Sequence, residues 1–174
     1  EKGVEALKKV WHRGAVDADG KTGDGAGIHV EIPHGFFKQH IRDTGHEPGD
    51  GHLAAGMVFL PKTDLVAQEM CRAIVETEIL KAGYKIYGWR QVPINASVIG
   101  EKANATRPEI EQIMIDGGTE KDGPAFETDL YVIRRRIERR GLDEHNTEFY
   151  ICSLSARSII YKGMFLAEQL TDFY

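Results

Sequence analysis

Trp11–Ile28 reads WHRGAVDADGKTGDGAGI, too rich in glycine and aspartate to be ordinary core. Gly14, Gly20, Gly23, Gly25 and Gly27 are interleaved with Asp17, Asp19 and Asp24. Glycines this dense let a backbone take positive φ and approach a neighbour closely. The segment opens on a His12-Arg13 pair after an apolar run and closes into the strand-like Ile28–Ile32. It reads either as a long surface loop or as a shaped loop beside an active site, because loops held by rigid elements often carry function.

Two chemistries that such a loop invites do not fit it. Phosphate-binding glycines follow a strand and open a helix, whose amino terminus meets the phosphate. Here GDGAG (Gly23–Gly27) precedes a strand, and no Gly-Lys-Ser/Thr occurs. The DADG of Asp17–Gly20 has the flavour of a calcium loop but lacks the third acidic ligand and the terminal glutamate.

Outward from the loop, helical and strand patterns alternate. Val4, Leu7, Val10 and Trp11 recur at helical intervals, predicting a first helix over about Lys2–Val10. A strand over about Ala26–Ile32 is closed by Pro33, and Phe36, Phe37, His40 and Ile41 predict a short helix. Thr44–His52 (TGHEPGDGH) is a turn-rich connector, and Ala55–Leu60 a short strand. Asp64–Lys81 is the clearest helix, with Asp64 at the N-cap, Gly83 at the end, and Val66, Met70, Ile74 and Leu80 near one face. Tyr84–Val92 and Glu109–Ile115 read as strands. A second amphipathic helix runs over about Phe126–Arg139, with Pro124 near its start and an apolar stripe of Phe126, Leu130, Ile133 and Ile137. Phe149–Leu154 and Ser158–Tyr161 form a strand pair. Strand pairs without a strict βαβ rhythm predict the α+β class, with helices layered on antiparallel sheets.

Composition narrows the function classes. With 174 residues, 41% hydrophobic and 28% charged, the chain can build a core. A net charge of −5 argues against a general nucleic-acid binder. The one basic run, Arg134-Arg135-Arg136 with Arg139 and Arg140, is interleaved with Ile133 and Ile137 and reads as the wet side of the second helix. No apolar stretch approaches the roughly 18 residues that span a bilayer, and the start, EKGVEALKKV, is no secretory signal. Cys71 and Cys152 match no disulfide framework or metal spacing, which fits a reducing, cytoplasmic setting. Both ends read as cut, since Glu1 enters a helix pattern directly and MFLAEQLTDFY (Met164–Tyr174) stops abruptly while apolar. Residues 1–174 are thus expected to be part of one domain, truncated at both ends.

Isolated reactive side chains add little. The seven histidines include no HExxH pair, so zinc is not expected and the metal-ligand set is none. Ser153, Ser155 and Ser158 lie in SLSARS, without a GxSxG elbow, and read as strand and turn hydrogen-bonders. Cys71, mid-helix in EMCRAIVE, and Cys152, in the apolar FYICSL, read as buried structural thiols.

Three blocks in a fixed order carry a resemblance: HRGAVDADGKTGDGAGI (His12–Ile28), YGWRQVPIN (Tyr87–Asn95) and FYICSLSARSIIYKGM (Phe149–Met164). IPHGFF, VETEIL and YVIRRRIE continue it between them, so it covers nearly the whole chain. Together they resemble the amino-terminal class II glutamine amidotransferase domain of the glutamate synthase large subunit. The resemblance implies an Ntn-hydrolase-type four-layer α/β/β/α sandwich, here a partial domain. It also implies hydrolysis of L-glutamine by a cysteine at the mature amino terminus, whose α-amino group is the base for the thiol. In the family, the ammonia passes to a distant site and aminates 2-oxoglutarate, with electrons from FMN and an iron-sulfur cluster. The resemblance thus implies no cofactor in this domain and both cofactors elsewhere in the parent. It makes other glutamate synthase domains, and the small subunit, the expected partners.

The family's nucleophile lies upstream of the position that Glu1 matches, and its later blocks lie beyond Tyr174. Those blocks carry a substrate-binding arginine and the asparagine-glycine pair that stabilises the oxyanion. The expectation is therefore a glutaminase scaffold with no catalytic residue in this chain, inactive by itself. His12, Arg13 and Gly14 are the pocket-lining candidates. Arg13 either positions a carboxylate or carbonyl by paired hydrogen bonds, or pairs with Asp17, Asp19 or Asp24 and holds the loop together. Trp89 is expected to anchor the core while Arg90 reaches toward a domain contact. The rival function is a non-catalytic module of the same fold, kept for structure or interdomain contacts.

Overall fold

The computed structural model describes residues 2–10 and 14–174. Its elements run α1 (Lys2–Lys9), β1 (Ala26–Glu31), α2 (His34–Asp43), β2 (His52–Leu60), α3 (Leu65–Lys81), β3 (Lys85–Gln91), α4 (Glu101–Ala105), β4 (Glu109–Gly118), α5 (Gly123–Asp143), β5 (Tyr150–Ser155), β6 (Ser158–Gly163) and α6 (Leu170–Phe173). They divide into two units. The first comprises Glu1–His29, Val92–Pro108 and Ile160–Tyr174, and the second Val30–Gln91 and Glu109–Ile159.

The second unit is built on a four-stranded antiparallel sheet ordered β3-β4-β2-β5. β2 and β4 are central, and nearly every residue of each is buried. Both faces are therefore covered, which is why these strands lack the apolar-polar alternation of a sheet with one wet face. β2 begins at His52, three residues ahead of the expected Ala55, because Leu53 and Ala54 are already core. Gly56, mid-strand, lies opposite both Ile113 and Leu154. A Cβ there would stand 2.8 Å from Ile113 Cγ2 and 2.9 Å from Leu154 Cδ1, so the glycine makes room for its neighbours.

α3 and α5 pack on one face of this sheet, where Ile74, Val75, Ile79, Leu130, Ile133 and Ile137 join Val58, Ile113 and Ile151 in one core. Both helices start on aspartate caps. Asp64 accepts from the Ala67 amide at 2.9 Å and Asp122 from the Ala125 amide at 2.8 Å, each satisfying a donor that a helix start leaves over. The stripe expected on α5 is the one it buries.

α3 differs from its expected face. Val66, Met70 and Leu80 are exposed, and of the four apolar residues expected inward only Ile74 is buried. The face turned inward carries Gln68, Cys71, Val75, Glu78 and Ile79 with Ile74. Apolar residues occupy two sides of this helix, so periodicity does not choose between them. Tertiary partners do: Gln68 Nε2 donates to Pro61 O at 2.8 Å, and the Glu78 carboxylate meets Lys81 at 3.2 Å and Arg140 at 3.5 Å.

The first unit contains α1, the glycine-rich segment, α4 and the chain's final turns. β1 and β6 pair as a two-stranded sheet. Phe165 is buried with its ring 5.2 Å from that of Phe173, and Tyr174 Oη donates to Lys162 O at 2.8 Å. The Asn95 amide donates to Phe173 O at 2.8 Å, joining the 92–108 segment to the chain's end.

Candidate functional site

The glycine-rich segment is a small, heavily hydrogen-bonded hairpin rather than a slack loop. Val16 and Gly23 form an antiparallel bridge, the Asp17 amide donates to Thr22 O at 2.9 Å, and the Asp24 amide to Ala15 O at 3.2 Å. At the tip, the Gly20 amide returns to Asp17 O at 2.9 Å, and Gly20 takes φ 67°, a left-handed value that an L side chain resists.

Asp19 closes the tip from inside. Its carboxylate accepts from the Lys21 amide at 2.9 Å, the Thr22 amide at 2.7 Å and Thr22 Oγ1 at 2.6 Å. These hydrogen bonds, Thr22's first, hold its pKa down at about 2. Asp17 accepts from Lys102 Nζ at 2.7 Å and from the Ala18 amide at 2.6 Å, and both lower its pKa. Two of the three aspartates thus do structural work as fixed anions. Asp24 has no side-chain partner among the described residues.

Two residues that local sequence patterns did not single out brace this hairpin from outside. Lys102, on α4, reaches Asp17 across 85 positions of sequence. Gln169 Nε2 donates to Lys21 O at 3.1 Å and to Val98 O at 2.7 Å, while its Oε1 accepts from the Leu166 amide at 2.7 Å. No local signal marks either one, since their partners lie far along the chain. Gly23 adds a steric fit, for a Cβ there would stand 2.6 Å from Phe165 C and 2.7 Å from Phe165 O.

Of the expected pocket residues, Gly14 is exposed at the foot of the hairpin, and His12 and Arg13 lie outside the described residues. The GWR strand turns inward. Trp89 Nε1 donates to Glu76 Oε1 at 2.8 Å while its ring packs against the core. Arg90 has partners within the second unit. Its Nη1 donates to the buried Gln112 Oε1 at 3.0 Å, and its guanidinium lies 5.0 Å from the Phe36 ring centre, a cation-π contact.

Both cysteines are buried, and neither forms a disulfide among the described residues. Burial pushes the Cys71 thiol up to about 11, the Glu144 charge adding to it, so this thiol is protonated and unreactive at neutral pH. Ser155 is a turn hydrogen-bonder: its Oγ donates to Glu127 at 2.8 Å and accepts from the Arg157 amide at 2.9 Å. No group of three or more histidine, cysteine or acidic side chains placed to hold a metal occurs among the described residues.

The glycine hairpin, the inward GWR strand and the SLSAR turn are the structural counterparts of the three sequence blocks. The family described as glutamine amidotransferases class-II matches residues 1–174, the whole chain. The chain belongs to this family. As a class-II amidotransferase it is 69% identical over 174 residues to the NADPH glutamate synthase large chain of Azospirillum brasilense, covering 100% of this chain and 12% of that one. It is 41% identical to the chloroplastic ferredoxin-dependent glutamate synthase of Spinacia oleracea, over 98% of this chain and 11% of that one. The corresponding large chain of Bacillus subtilis is 35% identical, over 100% and 11%. The chain thus spans about an eighth or less of the length of these relatives. Class-II amidotransferase membership carries the α+β Ntn-hydrolase sandwich class, with which the antiparallel sheets and their helical cover agree. No helix among the described residues is long and apolar enough to cross a membrane.

Proposed function

We propose that this domain, within its full polypeptide, hydrolyses L-glutamine to glutamate and ammonia, and that the ammonia is used for reductive amination of 2-oxoglutarate. The observation that carries this reading is the class-II amidotransferase match over residues 1–174. The nucleophile is a cysteine upstream of Glu1, freed as the mature amino terminus. Its α-amino group takes the thiol proton, the thiolate adds to the γ-carboxamide, ammonia leaves, and water then releases glutamate from the thioester. Cys71, buried and with its thiol pushed up, is not assigned this role.

In this reading the hairpin is the scaffold of the pocket wall. Asp19, Lys102 and Gln169 immobilise it, and His12, Arg13 and Gly14 are the residues assigned to line the pocket, Arg13 by orienting a carboxylate or a carbonyl through paired hydrogen bonds. FMN and an iron-sulfur cluster belong to other domains of the parent. Those domains, and a small subunit, are its partners, in the cytoplasm.

The test is ammonia release from L-glutamine by the full-length protein. Loss of that activity on replacing the upstream cysteine is expected. Retained activity, or no such cysteine in the parent, overturns the mechanism and leaves a non-catalytic module of the same fold. An Arg13→Ala variant with unchanged KM and kcat for glutamine overturns the role of Arg13.

A further inference from the structure

The last turns of α5 and the start of β5 enclose an open-sided groove of about 750 Å³, wholly within the second unit. Its walls carry three guanidinium groups, from Arg134, Arg135 and Arg139, against a single carboxylate. That carboxylate, Glu138, is shared: Arg134 Nε donates to it at 2.8 Å and Arg135 pairs with its other oxygen. Arg139 has no ion pair among the described residues. The neighbouring Arg140 points elsewhere and is neutralised by Glu144 at 3.0 Å and Glu78 at 3.5 Å. The groove thus carries three guanidinium groups for one carboxylate, in a chain whose net charge is −5.

Two further features complete it. Phe149 and Ile151 supply an apolar lining, and Leu142, also lining the groove, is 70% exposed. Asn146 Nδ2 is buried and finds no acceptor among the described residues. A buried donor without a partner is unfavourable.

We propose that this groove docks an acidic segment of the same polypeptide, one that carries an apolar side chain among its carboxylates. Carboxylates from the segment pair with Arg135 and Arg139 in two-pronged geometry. Its apolar side chain covers Leu142 and Phe149. Charge complementarity selects an anionic occupant. The relatives' length favours a tethered one: this chain matches only 12% of the large chain of Azospirillum brasilense. A tethered segment acts at a high effective concentration, so a shallow, open site suffices to hold it. Small-molecule sites are by contrast mostly enclosed. The docking is independent of glutamine hydrolysis.

The test places a photo-cross-linking residue at Leu142 of the full-length protein and identifies the linked peptide by mass spectrometry. The expected product joins position 142 to an acidic segment of the same chain. Its yield falls about fivefold or more in the double variant Arg135→Glu with Arg139→Glu, and likewise at high salt. The thermal unfolding midpoint reports whether the double variant folds. If it does not, Arg139→Ala, which removes no ion pair among the described residues, takes its place and is expected to lower the yield in the same direction. The proposal is overturned by no intramolecular product in the folded protein, by a linked segment that is neutral or basic, by linkage to a separate polypeptide, or by a yield indifferent to charge.

Discussion

Arg72 on α3 and Glu111 on β4 meet as a two-pronged ion pair: Nε donates to Oε2 at 2.8 Å, and Nη2 bonds Oε1. Glu111 is buried, and Arg72 mostly so. Breaking such a pair strands a charge, whereas replacing both members by apolar groups does not. Arg72→Met is therefore expected to lower unfolding free energy by about 3–5 kcal/mol. The double variant Arg72→Met with Glu111→Leu recovers most of that loss. Urea unfolding of the three proteins checks both statements.

Asp19 makes the hairpin sensitive to acid. Its folded pKa, about 2, lies below the ordinary 3.8, so its contribution is fully present above the ordinary value and is lost as pH falls through the folded one. The expected window is from about 4 down to about 2. Amide exchange at Lys21 and Thr22 should accelerate across it, with the Asp19 carboxyl titrating near its lower edge. In Asp19→Asn that pH step should vanish.

Gly23 should not tolerate a methyl group. The added Cβ would meet the Phe165 carbonyl and the Leu166 amide, at 2.8 Å from the latter, and backbone yields only by moving. Gly23→Ala is expected to cost about 1–3 kcal/mol. Gly35→Ala provides the contrast: nothing lies within 4 Å of its Cβ position, and the site is helical. That change should be neutral, or stabilising by up to about 1 kcal/mol. Thermal unfolding ranks the two.

Cys71 should be silent toward thiol reagents in the native state. With its thiol at about 11, roughly one molecule in a thousand is thiolate at pH 8, and the group is buried as well. Labelling should follow unfolding rather than reagent concentration. In the full-length protein, Cys71→Ala and Cys152→Ala should keep glutamine-dependent ammonia release within about twofold of the parent.

Much of the architecture is legible locally. Asp64 announces the start of α3 because a short acidic side chain is an effective acceptor for the free amides of a first turn, and Pro124 marks that of α5. The α5 stripe is legible because its other faces are polar, leaving one way to bury it. The α3 face is not, because Val66, Met70 and Leu80 compete with Cys71, Val75 and Ile79. Arg90 likewise gives no local sign that it turns inward to Gln112, a partner 22 positions away.

The glycine hairpin divides along the same line. Glycine density, three aspartates and the order of the flanking blocks determine by themselves that a shaped turn leads into a strand, and that the chain resembles the class-II amidotransferases. Those features are local, or lie in fixed linear order. Only the tertiary structure decided what holds the turn in place. Lys102 and Gln169 reach it from 85 and 148 positions away, and Gly23 fits against the Phe165 backbone. Such contacts form once distant segments are brought together by burial of the core, and linear sequence carries no period or motif for them.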